Sequence, residues 1–161
     1  MRLSTRGRYG VRAMLELALS GRQNGPVSLK VISERQQISL DYLEQLLRRL
    51  RKAGLVRSVR GPRGGFVLTR APAEISLWEI VVALEQEVAP VHCVDDIVLD
   101  KPLRKNHCRK MKECAAHLLW ADMARLVRGF LQRHSLQQLA DSSRRLGGRG
   151  GACDLPLVFE I

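Results

Sequence analysis

The chain has 161 residues, 45% of them apolar, which is enough for one domain with an ordinary core plus an appended helical element and excludes two large independent domains. The sequence shows neither the apolar run of a signal peptide nor the roughly 20 apolar residues of a membrane span, so we expect a cytoplasmic protein without a membrane partner. The net charge is +11, which excludes a chain of balanced surface charge.

The excess positive charge lies entirely in residues 1–70. This region holds 15 of the 27 lysines and arginines but four of the 16 acidic residues, so the rest of the chain is neutral overall. Charge concentrated in one region is typical of proteins that bind a polyanion, because the neutralised phosphates release condensed counterions.

Three helices are predicted in this basic region. Apolar residues recur at helical spacing in residues 5–20, and turn-forming residues follow at 24–26. Ser28 and Ser39 are suited to cap the second and third helices, which only a tight turn separates. The third helix combines a polar face with an apolar stripe formed by Leu43, Leu46, Leu47 and Leu50.

A short hairpin is predicted after the third helix. Residues 55–59 and 66–68 are rich in β-branched and aromatic side chains, and they flank a glycine-rich turn that carries Arg60 and Arg63. Together with the helices, this pattern predicts a mostly α fold with a small β-hairpin wing, a winged helix-turn-helix domain over residues 1–72. Its third helix suits the DNA major groove, and the two arginines suit the backbone or the minor groove.

A helical region is predicted over residues 73–140. It begins with a capping box at residues 76–79, in a helix that Pro90 ends, and continues with a long helix from about Cys114 to Arg133. A helix of 20 residues is about 30 Å long, and its apolar stripe needs more cover than a small domain provides. We therefore expect a dimerisation helix with Leu119, Met123, Leu126, Val127 and Phe130 on one face. A short last helix and a flexible tail over residues 141–161 complete the prediction.

Soft metal ligands are concentrated between the two predicted helices of the second region. Three thiols and one imidazole fall within 25 residues, namely Cys93, Cys108, Cys114 and His117. In a cytoplasmic protein this set favours an iron–sulfur cluster or zinc over disulfides. The competing ligands are His92, His107 and Cys153.

Four stretches of the chain carry a resemblance to a known family. They are Met1–Gly10, Ile32–Gln36, Ile38–Leu47 and Arg49–Phe66, followed more loosely by Cys114-x-x-His117 and Leu119-Trp120. In these stretches the chain resembles the IscR-like iron–sulfur cluster regulators, of the Rrf-type family of winged-helix transcription factors. The resemblance covers nearly all of residues 1–70 and fades beyond residue 140.

The resemblance implies a homodimeric bacterial transcription factor that binds double-stranded DNA at a palindromic operator. It implies a 2Fe-2S cluster held by Cys93, Cys108, Cys114 and His117, and control of iron–sulfur assembly or related stress genes. It implies minor-groove insertion of Arg60 and base contacts by Ser39, Asp41, Glu44 and Gln45. Arg63 is expected on the DNA backbone.

Two features depart from the family pattern or bear on it. Fourteen residues separate Cys93 from Cys108, where close relatives have short gaps; the longer loop costs roughly 0.9 kcal/mol in closure entropy. Arg8 stands where some relatives have a carboxylate ligand, which favours histidine as the fourth ligand. A structural zinc site and a thiol redox switch remain alternatives.

No catalytic constellation, phosphate loop or dinucleotide fingerprint occurs in the sequence, so we do not expect an enzyme.

Overall fold

The computed structural model describes residues 4–85, 88–99, 108 and 110–147. Their architecture is mostly helical with one two-stranded hairpin, which confirms the predicted fold class. The elements in chain order are α1 (Thr5–Asn24), α2 (Leu29–Gln36), α3 (Leu40–Lys52), β1 (Val56–Val59), β2 (Gly65–Leu68), α4 (Leu77–Leu84), α5 (Asp95–Leu99), α6 (Ala115–Arg133) and α7 (Leu136–Arg145). None of the helices within these residues has the length and apolar composition that crossing a membrane requires.

Serine side chains begin most of the longer helices. The hydroxyl oxygens of Ser4, Ser28, Ser76 and Ser135 accept hydrogen bonds from the first-turn N–H groups of α1, α2, α4 and α7. Such a cap stabilises a helix by about 1 kcal/mol. Ser39 occupies the same position before α3, yet its hydroxyl accepts no hydrogen bond from the first turn of that helix.

The main core joins the helix-turn-helix to elements from the far end of the chain. Met14 of α1, Leu50 of α3, Ile80 of α4 and Leu136 of α7 are all fully buried in one cluster. The predicted boundary at residue 72 therefore does not separate two cores. The predicted start of the tail at residue 141 falls inside α7, which continues to Arg145 because its apolar face packs against α1. Residues 148–161 of the predicted tail lie outside the described residues.

The wing is tied to the start of α2. β1 and β2 pair antiparallel in a register that places Val56 opposite Leu68. Val27, just before α2, adds a bridge to Phe66, in which each backbone N–H donates to the other residue's carbonyl oxygen at 3.0 and 2.8 Å. A Cβ on Gly65 would overlap the backbone of Val27 and Ser28, so this close approach requires glycine.

A second, smaller cluster joins α4, α5 and α6. Its buried members include Trp78, Val94, Val98 and Ala124. α4 ends at Leu84, short of the predicted end at Pro90, because Glu85 takes an extended conformation and turns its carboxylate to the start of α1.

Candidate DNA interface and metal centre

One face of α3 presents the residues that were predicted to contact bases. Ser39, Asp41, Glu44 and Gln45 are all exposed, while the four leucines of the opposite stripe are buried. The hydroxyl of Ser39 is left available because it does not cap the helix. Asp41, Glu44 and Gln45 share one exposed surface of α3, and Ser39 is exposed just before the helix, so the hydrogen-bonding groups of all four are accessible, as base recognition in the major groove requires.

Charge changes sign along α3. The N-terminal half carries Asp41 and Glu44, whereas the last turn carries Arg49, Arg51 and Lys52, for which the described residues provide no carboxylate partner. Asp41 in the first turn and the three cations in the last turn interact favourably with the helix dipole. The basic end offers three unpaired cations to DNA phosphates, and the acidic end can accept hydrogen bonds from base donors.

An exposed ion pair links the two halves. Arg48 Nη2 lies 3.3 Å from Glu44 Oε1, one helical turn away. An exposed pair of this type contributes about 0.3–0.5 kcal/mol, so either side chain can exchange its partner for DNA at small cost.

The wing tip holds the two arginines predicted for the backbone and the minor groove. Arg60 and Arg63 are exposed, and neither side chain has a salt-bridge partner in the part of the chain that the structure describes. Gly61 between them has φ of 119°, a conformation that strongly favours glycine. The tight turn therefore presents both guanidinium groups to solvent on the same hairpin.

A buried carboxylate, which sequence analysis missed, fixes α2 on α1. Glu16 is 5% exposed and accepts hydrogen bonds from Ser20 and Arg35 at 2.7 Å and from Gln36 at 3.0 Å. Burial raises the pKa of Glu16, but the hydrogen bonds from Ser20, Arg35 and Gln36 and the charge of Arg35 outweigh it and hold the pKa below its ordinary value. A signal was available, because Glu16 is the sole acidic residue in the first 33 positions.

Further contacts connect this network to α3. The Arg12 guanidinium donates to the Gln36 carbonyl oxygen at 2.6 Å and to its side-chain oxygen at 3.1 Å. It also lies 5.4 Å from the centre of the Tyr9 ring, which meets Tyr42 of α3 edge to face at 6.0 Å. The turn before α3, where Gln37 is left-handed, is thereby held from both sides.

The predicted metal ligands lie in three places along the chain, with Cys114 and His117 together at the start of α6. Cys93 is half-buried in the 3₁₀ turn His92–Val94, Cys108 is exposed, and Cys114 is half-buried at the N-terminus of α6 with His117 one turn later. All three cysteines are free thiols. Burial raises the pKa of the Cys93 thiol, and the nearby charges of Cys108, Cys114 and Asp95 add to the rise.

The ligands do not form a finished metal site in the described residues, where no three side chains of His, Cys, Asp or Glu converge closely enough to hold an ion. One atom nevertheless lacks a partner: Nδ1 of His117 is buried, and no described group lies within hydrogen-bonding distance. The side chain of His92, a competing candidate ligand, is 65% exposed, and its Nδ1 lies 3.7 Å from Oδ2 of Asp95. His107 and Cys153, the other competitors, lie outside the described residues.

The ligand-bearing segment is the part of the chain after α4 that carries the candidate metal ligands. Glu85, at its start, connects it to α1 of the DNA-binding core, which contains α1 to α3 and the wing. Oε1 of this residue accepts hydrogen bonds from the backbone N–H and the hydroxyl of Ser4, both at 2.9 Å. A Cβ on Gly7 would overlap the Glu85 carboxylate, and one on Gly10 would overlap Leu84. The N-terminal face of α1 is therefore shaped to receive the end of α4, from which the chain continues to Cys93.

The long helix has two apolar faces. Met123 and Val127 line the same small cavity as Trp78 of the second cluster, so part of the stripe predicted for dimerisation faces the rest of the chain. Leu118, Leu119 and Leu126 are instead 66, 61 and 72% exposed. An exposed set of this size on one helix marks a surface for another apolar partner.

Comparisons with known proteins show the family to which the chain belongs. The family model described as Rrf2, iron-dependent transcriptional regulator, matches residues 3–142. The HTH-type transcriptional regulator IscR of Photorhabdus laumondii is 43% identical over 150 residues, which are 93% of this chain and 85% of IscR.

Two solved structures share the fold. T. potens IscR has a TM-score of 0.67 and 35% identity, covering 91% of this chain and 90% of its own. CymR, described as the global cysteine regulator of B. subtilis, has a TM-score of 0.67 and 36% identity, covering 88% and 98%. The chain is accordingly a transcriptional regulator and not an enzyme, and it belongs to the Rrf2 family.

Proposed function

We propose that this regulator binds a 2Fe-2S cluster through Cys93, Cys108, Cys114 and His117, and that cluster occupancy controls its affinity for DNA. The observation that carries the proposal is the buried Nδ1 of His117, which has no described partner and stands one turn from the free thiol of Cys114. Leaving such a buried polar atom unsatisfied costs about 1–3 kcal/mol, and a bond to iron would remove that cost.

The candidate ligands have the chemistry that a cluster requires, although they do not converge in the described residues. Thiolates and imidazole suit iron–sulfur clusters, and a mixed Cys and His set holds a 2Fe-2S centre in other proteins. When bound, the cluster supplies a redox-active iron centre. Because Cys93, Cys108 and Cys114 belong to separate elements, binding must rearrange them, and part of the binding free energy becomes a change of conformation.

Control of DNA binding requires a connection between the ligands and α3, and the contacts around α1 provide it. Glu85 hydrogen-bonds Ser4 at the start of α1, and the same helix holds the turn before α3 through Arg12 and Glu16. A displacement of the segment after Glu85 therefore acts on the helix that positions the recognition helix. We assign base contacts to Ser39, Asp41, Glu44 and Gln45, minor-groove contact to Arg60 and backbone contact to Arg63.

Dimerisation supplies the second half of the DNA interface. The exposed leucines of α6 at positions 118, 119 and 126 form the contact with a second copy, since burying a leucine side chain contributes about 1.5–3 kcal/mol. A two-fold dimer binds a palindromic operator whose half-sites lie about 34–36 Å apart. We propose genes of iron–sulfur assembly or a related stress response as its targets.

The cluster assignment is tested by purifying the protein anaerobically and measuring iron, sulfide, zinc and visible absorption. We expect brown protein with iron and sulfide in equal amounts. Cys108→Ala and Cys114→Ala should lose the cluster, and His117→Ala should weaken it, while Cys153→Ala serves as the matched control and should retain it. Full iron occupancy in Cys114→Ala, or zinc in place of iron in the wild type, would contradict the assignment.

A thiol redox switch is the second candidate, because the exposed Cys108 and the two half-buried cysteines are free thiols that the described structure does not join to a metal. This candidate predicts colourless anaerobic protein whose DNA affinity changes on treatment with disulfide. The cluster proposal predicts that iron content, and not thiol oxidation alone, determines the affinity.

A further inference from the structure

Leu40 is an apolar side chain in an unexpected place. It is the first residue of α3 and is 46% exposed, although the other four leucines of the helix are fully buried. The other large exposed apolar residues lie on α6 and just after α7. Within residues 4–85, Leu40 is thus the one exposed large apolar side chain, and it projects from the turn that enters the major groove first.

The same turn has a second unusual property. Ser39, directly before Leu40, leaves the first-turn N–H groups of α3 uncapped, whereas the serines before α1, α2, α4 and α7 all cap their helices. Within the described residues, the N–H groups of this turn therefore have no side-chain cap, and the apolar side chain of Leu40 is exposed. A partner with hydrogen-bonding groups beside an apolar group would satisfy both.

The major groove offers one apolar group at its base edges, the C5-methyl of thymine. We propose that Leu40 is a specificity-determining residue that contacts a thymine C5-methyl group in each operator half-site. The proposal rests on the proposed role of α3 as the recognition helix, but it is independent of the cluster.

The position of the thymine follows from the helix. Leu40 and Glu44 are four residues apart and lie on the same side of α3, about 6 Å apart along its axis. Bases in one strand rise by about 3.4 Å per step. The thymine should therefore lie within one or two base pairs of the position to which Glu44 responds.

The test exploits uracil, which pairs like thymine but lacks the methyl group. Operators are first selected from a random duplex pool with the apo protein, and each thymine of a half-site is then replaced by uracil, one at a time. Dissociation constants are measured by fluorescence anisotropy at one fixed salt concentration. Removing one buried methyl group corresponds to about 0.8 kcal/mol, so one position should weaken wild-type binding about fourfold.

The variants decide whether Leu40 is responsible. Leu40→Ala should bind the thymine and uracil operators equally at that position, and Leu40→Met should retain the preference for thymine. Arg63→Ala is the matched control, because it should weaken binding to every duplex and still discriminate thymine from uracil. Since Leu40 is exposed, Leu40→Ala should keep the wild-type circular dichroism and its affinity for random DNA.

Two results would overturn the proposal. The first is uracil sensitivity that is the same in the wild type and Leu40→Ala at every position; the second is no sensitivity at any thymine. If Glu44→Ala and Gln45→Ala also leave all base preferences unchanged, the assignment of α3 to base recognition fails with it. If those two variants change the preferences, the failure concerns Leu40 alone.

Discussion

The DNA-binding core and the ligand-bearing segment differ in how far the chain completes them by itself. In the core, Glu16 satisfies three donors, the wing is pinned by Val27, and the turn before α3 is held by Arg12. In the segment, Cys93 lies in a 3₁₀ turn away from Cys114 and His117 at the start of α6, and the buried Nδ1 of His117 has no described partner. The comparison indicates that contacts within the chain fix the DNA-binding surface, whereas the side chains proposed to hold the cluster do not converge in the described residues.

The strongest disturbance of the core is expected from Gly65→Ala. The added Cβ would overlap backbone atoms of Val27 and Ser28, which cannot move without breaking the bridge to Phe66. We expect a loss of about 1–3 kcal/mol in the free energy of unfolding, measured by urea denaturation. Gly129→Ala in α6 is the control: its nearest neighbour, Nη1 of Arg133, is 3.2 Å away on a flexible side chain, and alanine favours the helix by about 1 kcal/mol. Equal stability of Gly65→Ala and the wild type would show that the wing is not pinned there.

The wing arginines should differ from each other in their effect on DNA binding. Arg60→Ala should cost about 1–3 kcal/mol on the selected operator and less on random DNA, because it acts in a groove. Arg63→Ala should weaken both duplexes equally and reduce the slope of log affinity against log salt by about one. Binding titrations over a series of salt concentrations distinguish them, and equal losses of Arg60→Ala on both duplexes would remove its assigned role.

A smaller effect should appear as the pH is lowered. The folded state holds the pKa of Glu16 below its ordinary value of 4.5, so the network stabilises the fold fully above pH 4.5 and loses that contribution as the pH falls through the lowered pKa. Glu16→Gln has no such titration. Urea denaturation should therefore show a steeper decline below pH 4.5 in the wild type than in Glu16→Gln. Parallel declines would mean that Glu16 does not contribute through its charge.

Much of the fold follows from local sequence patterns. The leucine stripe of α3, the serines before α2, α3 and α4 and the glycine-rich turn of the wing predict elements that the structure contains. The features that the sequence did not predict depend on residues far apart in the chain. Glu16 of α1 pairs with Arg35 of α2, Glu85 accepts a hydrogen bond from Ser4, and α7 packs against α1. Local periodicity contains no information about such contacts. For the same reason Ser39 looked like an ordinary cap, although its hydroxyl is left free.

The candidate ligands could be named from their chemistry but not assembled from it. Cys93 lies in a 3₁₀ turn, Cys114 directly precedes α6, and α5 lies between them in the chain. The distance between such ligands is set by packing and by the metal itself, not by their separation in the sequence.

Control of DNA affinity by cluster occupancy is tested most directly by comparing apo and cluster-loaded protein on the same operators. Operators are selected anaerobically with each form, and both forms are titrated on every operator at fixed salt. We expect at least one class of operator whose affinity differs 10- to 100-fold between the forms, a coupling of about 1.4–2.8 kcal/mol, with a smaller difference in Glu44→Ala. Equal affinity of the two forms for every operator would contradict the account and leave the cluster a structural role.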